Sequence, residues 1–300
     1  MLPPRPAALD SPDTQGVLWM LGSALGFSVM SLLVKVASVT FPAMEIVFVR
    51  SIIMTAITYA ALRRSGVSPI GTDRTTLFLR GAVGATALSF FYIGIGRLPL
   101  GEAVTIQYTA PVWTAITAAL LIGERIRPLV LIGALLSLAG VILVYQPSAV
   151  FGARAETLDG LGVAAVGTAA VLSGLAYTFV RKLRQTDRPM TIIFYLSWIG
   201  ALGSLPFALG GAWVVPSGWD WALLLGIGLA THAGQVGLTE GMRRLEAGTA
   251  SSIGYLQVVL AFAWGALFLG QAVDGLSLVG AALVVSSVLL VVRRAQTVRA

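Results

Sequence analysis

Long apolar stretches recur along the chain, separated by short polar connectors. A helix that crosses a membrane needs about 20 mostly apolar residues. Ten stretches meet this requirement, so the pattern predicts an all-α polytopic membrane protein with ten transmembrane helices. The predicted spans are residues 16–39, 43–62, 76–96, 100–122, 128–145, 160–180, 190–210, 220–240, 248–269 and 275–292.

The segments outside the spans are short. Residues 1–15 are rich in proline and are expected to form a disordered cytoplasmic tail. Residues 293–300 are expected to form a second cytoplasmic tail. Residues 1–15 also lack the basic beginning of a signal peptide, so we expect the first span to be retained. The longest connector, residues 146–159, is too short for a soluble domain.

The composition agrees with a membrane protein. Hydrophobic residues make up 57% of the chain and charged residues 11%, and the mean hydropathy is +0.88. A soluble domain has about 45–50% apolar and about 25% charged residues, so a soluble enzyme, a coiled coil and a disordered protein are excluded. Because there are no cysteines and one histidine, we expect no disulfide, no metal site and no cofactor.

The net charge of +7 lies at the ends of the predicted helices. Basic residues occupy every second boundary, and the connectors between those boundaries hold few. The basic boundaries carry Arg63, Arg64 and Arg74; Arg125 and Arg127; Arg181, Lys182, Arg184 and Arg188; Arg243 and Arg244; and Arg293, Arg294 and Arg299. The positive-inside rule then predicts a multi-pass protein of the bacterial inner membrane with both termini in the cytoplasm. The charge is an insertion signal, and we expect no nucleic-acid partner.

The sequence also repeats itself after a shift of 147 residues. Tyr108 then matches Tyr255, and several glycines match as well. The two predicted halves, residues 16–145 and 160–292, contain five spans each. An odd number of spans inverts the second copy in the membrane, and inverted repeats are typical of transporters. We therefore expect two inverted five-helix repeats that rock against each other, with the substrate between the halves.

Several local motifs carry a resemblance to a known family. They are Phe48-Val-Arg50, Leu79-Arg80-Gly81, Leu98-Pro-Leu-Gly-Glu-Ala103, Tyr108-Thr-Ala-Pro111 and Leu121-Ile-Gly-Glu-Arg125. With the five-plus-five pattern, they resemble the EamA branch of the drug/metabolite transporter superfamily. The resemblance implies transport of metabolites such as amino acids, nucleotide precursors, vitamins or drugs. The second copy departs from the motifs, since Gln271 stands where the first has Glu124 and Val258 where it has Pro111.

One polar stripe lies on the first span. Ser28, Ser31 and Lys35 have the spacing i, i+3 and i+7, which places them on one helical face. Because ionisable groups inside a membrane cost about 2.5–3.5 kcal/mol on insertion scales, they are candidates for function. Lys35 is a candidate for binding a carboxylate or phosphate. The alternative is that Lys35 only extends its ammonium group to the membrane surface.

A second stripe, formed by His232, Gln235 and Thr239, repeats this spacing on the eighth span. His232 could line the cavity or carry a coupling proton, because its ordinary pKa is close to neutrality. The alternative is a neutral histidine bonded to a carbonyl of a neighbouring helix. The matching positions of span 3 are apolar except for Tyr92, so an asymmetric pocket is expected.

Tyrosines mark the matching spans 4 and 9. A ring with a hydroxyl group suits a partly apolar metabolite, so Tyr108 and Tyr255 are candidate substrate contacts, together with Thr105 one turn away. The alternative is that the rings only fill a helix crossing. Gln107 and Gln257 could join neighbouring helices by hydrogen bonds.

Two further residues inside the spans call for an explanation. Pro111 removes a backbone hydrogen bond and should kink span 4, either as a gate or as a purely structural bend. Arg50 is expected to be structural, satisfied by an ion pair with Glu45 or by backbone carbonyls, with substrate contact as the alternative.

These observations predict a secondary transporter that moves a small organic solute, amino-acid-like or partly hydrophobic, by alternating access, with export as a candidate direction. The predicted site is one mostly apolar cavity touching Tyr108, His232, Gln235 and Tyr255, with Lys35 at its outer mouth. The expected partners are the solute and the lipid bilayer, with the chain as a monomer or homodimer. The alternative is a polytopic membrane enzyme acting on a lipid-linked substrate.

Overall fold

The computed structural model describes residues 12–122, 128–146, 158–183, 185–210, 213–245 and 253–297. Over these residues the chain forms helices and connecting turns, with no strand. The helices are α1 (Pro12–Ala37), α2 (Ala43–Arg64), α3 (Arg74–Arg97), α4 (Leu100–Gln107), α5 (Ala110–Ile122), α6 (Pro128–Tyr145), α7 (Gly160–Leu183), α8 (Pro189–Gly210), α9 (Trp219–Arg244), α10 (Leu256–Leu269) and α11 (Gly275–Thr297).

The helices fit a polytopic membrane protein. Within the described ranges, seven helical stretches are long and apolar enough to cross a membrane, and α6, α10 and α11 contribute shorter apolar segments. α4 and α5 together occupy the fourth predicted span. α1 begins at Pro12 rather than at residue 16, because proline is well suited to the first turn of a helix.

Some expectations fall where the structure describes nothing. The tail over residues 1–11, the motif residues 123–127, the connector residues 147–157, the beginning of the ninth span at 248–252 and the final residues 298–300 all lie outside the described residues.

Helix packing divides the protein into two bundles, and both contain helices from the two sequence halves. In the first bundle α1 packs against α9 and α10, and α9 packs against α2. In the second bundle α3 packs against α7 and α8, and α7 packs against α4 and α5. α6 and α11 pack against each other and also contact α4 and α5. We call the interface between the two bundles the seam; here α2 packs extensively against α8, and α4 packs against α10.

Glycines let α1 and α9 approach each other within the first bundle. A Cβ atom on Gly26 would lie 2.9 Å from the backbone nitrogen of Gly234, and one on Gly237 would lie 2.7 Å from the carbonyl oxygen of Trp19. The Ser23 hydroxyl donates to the carbonyl oxygen of Gly234 over 2.8 Å. The two helices therefore touch backbone to backbone, with no room for a side chain between them.

α3 and α7 are joined along their length in the second bundle. A Cβ atom on Gly94 would collide with a methyl group of Val166. An ion pair closes each end of the contact, Arg97 with Asp159 at 3.0 Å and Lys182 with Asp73 at 3.5 Å. The hydrogen bond from Arg97 lowers the pKa of Asp159, so this carboxylate is ionised at neutral pH. The ion pairs are exposed and contribute little stability, but they fix the register of the two helices.

Cysteine labelling tests the predicted orientation. The chain has no cysteine of its own, so Ser68→Cys in the α2–α3 loop and Ser217→Cys before α9 are unique labels at exposed positions. With inverted halves, a membrane-impermeant maleimide should label Ser68→Cys only from the cytoplasm and Ser217→Cys only from outside. Labelling of both from the same side would contradict the inverted topology.

The glycine contact predicts a difference between two substitutions one turn apart. Gly26→Ala forces a methyl group against the backbone of α9, and overpacking of this kind costs about 1–3 kcal/mol. Gly22→Ala is the matched control, because a Cβ atom there meets no atom within 4 Å. Thermal unfolding in detergent should show a lower melting temperature for the first variant only. Equal melting temperatures would mean that the α1–α9 contact is not tight.

Candidate functional site

Two helical segments at the seam are interrupted at matching tyrosines. α4 ends at Gln107, Tyr108 forms its C-cap, and α5 begins at Ala110. Pro111 has no N–H to donate to the carbonyl oxygen of Gln107, so the helix cannot continue through this point, and the expected kink is present. In the second half, residues 253–254 are helical and Tyr255 forms a turn before α10. Interrupted helices of this kind expose backbone groups to a binding site in many transporters.

The two tyrosines meet across the seam. Their ring centroids are 5.3 Å apart, and the rings are inclined by 52°. The Tyr108 hydroxyl lies 2.6 Å from the carbonyl oxygen of Gly254 and 2.9 Å from Oε1 of Gln257, and it donates to one of these at a time. The Tyr255 hydroxyl is buried without a hydrogen-bond partner among the described residues. The predicted contact between spans 4 and 9 is therefore present, with one unsatisfied hydroxyl group.

Arg50 is the most deeply buried charge at the seam. Its side chain is 1% exposed, and Nη2 donates to the Ser51 hydroxyl over 3.3 Å. Nε and Nη1 have no acceptor within the described chain. The guanidinium carbon lies 5.7 Å from the ring centroid of Tyr92 on α3. Arg50 thus reaches from the first bundle to an aromatic ring of the second.

The expected ion pair between Arg50 and Glu45 is wrong. Glu45 accepts instead from the backbone N–H of Val214 over 3.1 Å, and no ion pair joins it to Arg50. Five residues along an α-helix rotate a side chain by about 140°, so the two groups point to different sides of α2. The backbone-carbonyl alternative is not observed either, since the hydrogen bond of Arg50 goes to a hydroxyl group.

A second arginine with unpaired nitrogens lies inside the second bundle. Arg80 of α3 is 5% exposed, and its Nε and Nη1 have no acceptor within the described chain. The Nη1 atom lies beside Gly84. Tyr177 of α7 lies near both Arg80 and Tyr108.

The glutamines join helices in the predicted way. Nε2 of Gln107 donates to the Ser173 hydroxyl of α7 over 3.0 Å, while its Oε1 is buried without a partner. Gln257 is near enough to accept from Tyr108. Both amides therefore bind a neighbouring helix, and that of Gln107 retains one free acceptor beside Tyr108.

The histidine stripe of α9 lies on the side that faces α2. A Cβ atom on Gly228 would lie 2.7 Å from the Ile53 side chain, and His232 follows one turn later with Nδ1 buried and unpartnered. Gln235 is partly buried. Thr239 lines a cavity of about 180 Å³ among α2, α8 and α9. The stripe therefore runs from the interior of the first bundle to a cavity at the predicted cytoplasmic side.

The predicted single cavity remains a prediction. A second, apolar cavity of about 470 Å³ lies between α2 and α8. Neither cavity is lined by Tyr108, His232 or Tyr255. In this conformation the two tyrosine rings contact each other at the seam.

Four other predicted residues already have local partners. The hydroxyls of Ser28, Ser31 and Thr105 donate to carbonyl oxygens of their own helices. The Lys35 ammonium donates to the carbonyl oxygens of Gly96 and Leu98, at 3.2 and 2.8 Å. Lys35 thus caps the C-terminal end of α3, where a cation is favoured by the helix dipole. These contacts give the four residues structural partners, and a role in binding stays a prediction.

Sequence reasoning did not single out Arg80 or Tyr177 as site residues. Arg80 lies six residues inside α3, and a charge at this depth was itself a signal for function. Tyr177 carried no such signal, because its relation to Tyr108 depends on how α7 packs. No group of three or more histidine, cysteine, aspartate or glutamate side chains able to hold a metal occurs in the described ranges.

The chain is similar to known transporters. A profile of the EamA-like transporter family matches residues 14–146 and again residues 160–293. The pseudopaline exporter CntI of Pseudomonas aeruginosa UCBPP-PA14 is 32% identical over 90% of this chain and 93% of its own. Human solute carrier family 35 member G1 is 29% identical, over 91% of this chain and 77% of its own. The riboflavin transporter of Rhizobium johnstonii is 26% identical, over 93% of this chain and 91% of its own.

A solved crystal structure shares the fold. It covers 92% of this chain and 98% of its own, with a TM-score of 0.56 and 21% identity. At this identity the likeness concerns the arrangement of the helices alone.

The interruption at Tyr108 predicts the effect of Pro111→Ala. Alanine restores the N–H that can bond to Gln107, which favours a continuous helix without removing a polar contact from the seam. The variant should change the rate of solute exchange in proteoliposomes more than the half-saturating concentration. An unchanged exchange rate in a normally folded variant would mean that Pro111 is only structural.

Proposed function

The chain belongs to the EamA-like transporter family, and from this premise we propose that it is a secondary transporter of the bacterial inner membrane. It moves a small organic metabolite by alternating access. Its ten spans form two inverted five-helix repeats, with both termini in the cytoplasm. The relatives named above are an exporter and other transporters, and we propose export as the direction.

The packing of the helices is the observation that carries this proposal. The repeat pairs α1 with α7, α2 with α8 and α3 with α9. When each helix is replaced by its repeat partner, the α1–α9 contact becomes the α7–α3 contact, and the α2–α9 contact becomes the α8–α3 contact. The same exchange also turns α1–α10 into the contact of α7 with α4 and α5. The exchange therefore converts the first bundle into the second, as a two-fold axis in the membrane plane would. The separate match of the family profile to each half supports the same repeat.

Such an arrangement suits alternating access. Two bundles related by an in-plane axis can tilt in either direction, and the two tilted states have similar energies because each is nearly the inverted image of the other. A solute bound at the seam would meet opposite sides of the membrane in the two states. The moving bodies in this proposal are the mixed bundles rather than the two sequence halves.

The side chains at the seam favour an organic solute with both apolar and polar parts. The rings of Tyr108, Tyr255 and Tyr92 offer apolar surface, and buried nitrogens and hydroxyls beside them lack partners. Small-molecule sites usually combine mostly apolar walls with a few fixed polar groups. An amino-acid-like or partly hydrophobic metabolite fits this combination. Its contacts are proposed to include His232 and Gln235 on the first bundle.

Flux measurements test the function directly. Purified protein in proteoliposomes, supplied with a panel of labelled metabolites, should show saturable counterflow of at least one solute. Chemical conversion of a lipid-linked substrate without flux would favour the membrane enzyme instead.

Variants of α9 test the site. His232→Ala and Gln235→Ala should each lower the transport rate at low solute concentration about 2- to 10-fold, the effect of losing one hydrogen bond, while expression stays normal. Leu229→Ala is the control on the same helix, since its side chain is 56% exposed on the lipid side. Transport that is unaffected by both of the first two substitutions would remove α9 from the site.

A further inference from the structure

Arg50 and Arg80 indicate the chemical class of the transported solute. We propose that the solute carries an oxyanion, a carboxylate or a phosphate, and that the Arg50 guanidinium binds it at the seam while Arg80 adds positive potential from the second bundle. This inference rests on the proposed transport function, and its test below separates the two.

The unpaired nitrogens of Arg50 are the first support. A guanidinium group is charged under all ordinary conditions and offers five N–H donors. Of these, the structure accounts for a single bond, to the Ser51 hydroxyl, while the side chain is 1% exposed. Buried charges in proteins are normally paired, because removing a charge from water without a partner is very costly. Among the described residues no carboxylate pairs with Arg50, and the nearby Glu45 accepts from Val214 instead.

The position of Arg50 is the second support. Its guanidinium carbon lies over the ring of Tyr92, which belongs to the other bundle. A cation over an aromatic face is attracted to the ring, but this attraction offsets only part of the desolvation cost. The arginine is therefore held in place at the bundle interface with its Nε and Nη1 groups free. Guanidinium donors of this kind make strong, charge-assisted hydrogen bonds to carboxylates and phosphates.

Arg80 strengthens the positive potential of the same region. Its Nη1 lies at Gly84, and Arg50 contacts α3 at Tyr92. Eight residues of α-helix correspond to about 12 Å. Within the part of the chain that the structure describes, no acidic side chain forms an ion pair with either arginine. Like charges in a medium of low dielectric constant repel each other, and a bound anion would relieve the repulsion between the two arginines.

This arrangement also couples binding to movement. Closing the seam over Arg50 buries an unneutralised charge, whereas closing it over a bound anion buries a neutral pair. The closed arrangement should therefore be more populated in the anion-bound protein than in the free protein. A ligand shifts a conformational equilibrium only through such a difference in affinity. The same arginine would then select the solute and permit the transition.

Matched pairs of small probes test the proposal on the wild-type protein. Thermal unfolding in detergent is measured at constant ionic strength with succinate and succinamide, with phenylacetate and phenylacetamide, and with phenyl phosphate and phenol. We expect a saturable rise in melting temperature with at least one anion and none with its neutral partner. A response to the carboxylates or to phenyl phosphate shows which oxyanion is preferred. If no anion stabilises the protein, or if the neutral partners stabilise it equally, the proposal is overturned.

Variants then assign the effect to Arg50. Arg50→Gln should raise the apparent Kd of the stabilising anion about 10- to 100-fold, since a hydrogen bond to a charged group is lost. The apparent Kd of Arg50→Lys should lie between those of the wild type and Arg50→Gln, because lysine keeps the charge without the planar set of guanidinium donors. Arg64→Gln, an exposed arginine on the same helix, should leave the Kd unchanged. An unchanged Kd in Arg50→Gln would refute the assignment, and the wild-type comparison stands even if this variant fails to fold.

Flux in proteoliposomes separates this inference from the proposed function. Saturable transport of a neutral solute, unaffected by Arg50→Gln, would leave the transporter function intact and refute the oxyanion. Anion binding that depends on Arg50, without any flux of the anion, would support the oxyanion site and contradict transport.

Discussion

The close contact of α1 with α9 and of α3 with α7 is the constraint on which the rest of the structure depends. Each contact joins a helix of one sequence half to a helix of the other. At Gly26 and Gly94 there is no room for even a Cβ atom, and packed interiors resist gradual deformation. In the proposed account the bodies that move are therefore the two mixed bundles, and the seam between them is the surface that opens.

The seam combines features that oppose each other energetically. Its aromatic rings and helix contacts favour closure, while the buried charge of Arg50 opposes it unless an anion is present. In the proposed account this opposition is functional, because a seam that closed equally well without solute would let the bundles move without carrying anything. The tyrosine pair where two interrupted helices meet adds the hydroxyl groups that a partly apolar solute requires.

Much of this arrangement could be predicted from the sequence, and the failures have physical reasons. Runs of apolar residues predicted the helices, because a chain in lipid has few alternatives to the helix. The repeat predicted that Tyr108 and Tyr255 lie close together. The same repeat suggested that the halves move as units. It could not show that α1 packs on α9, because helix pairing depends on contacts between distant segments. Arg50 was assigned an ion pair on sequence proximity alone, whereas its orientation on α2 directs it to Tyr92.

Disulfides across and within the bundles test the central claim, that the bundles move against each other at the seam. A Cβ atom on Gly200 of α8 would lie 3.6 Å from Cβ of Ser51 on α2, a separation suited to a disulfide. Ser51→Cys/Gly200→Cys should therefore block flux when oxidised and restore it on reduction. Thr117→Cys/Thr178→Cys joins α5 to α7 within one bundle, where the two hydroxyls are 2.8 Å apart, and it should transport in both states. Full flux through the oxidised Ser51→Cys/Gly200→Cys protein would contradict the account.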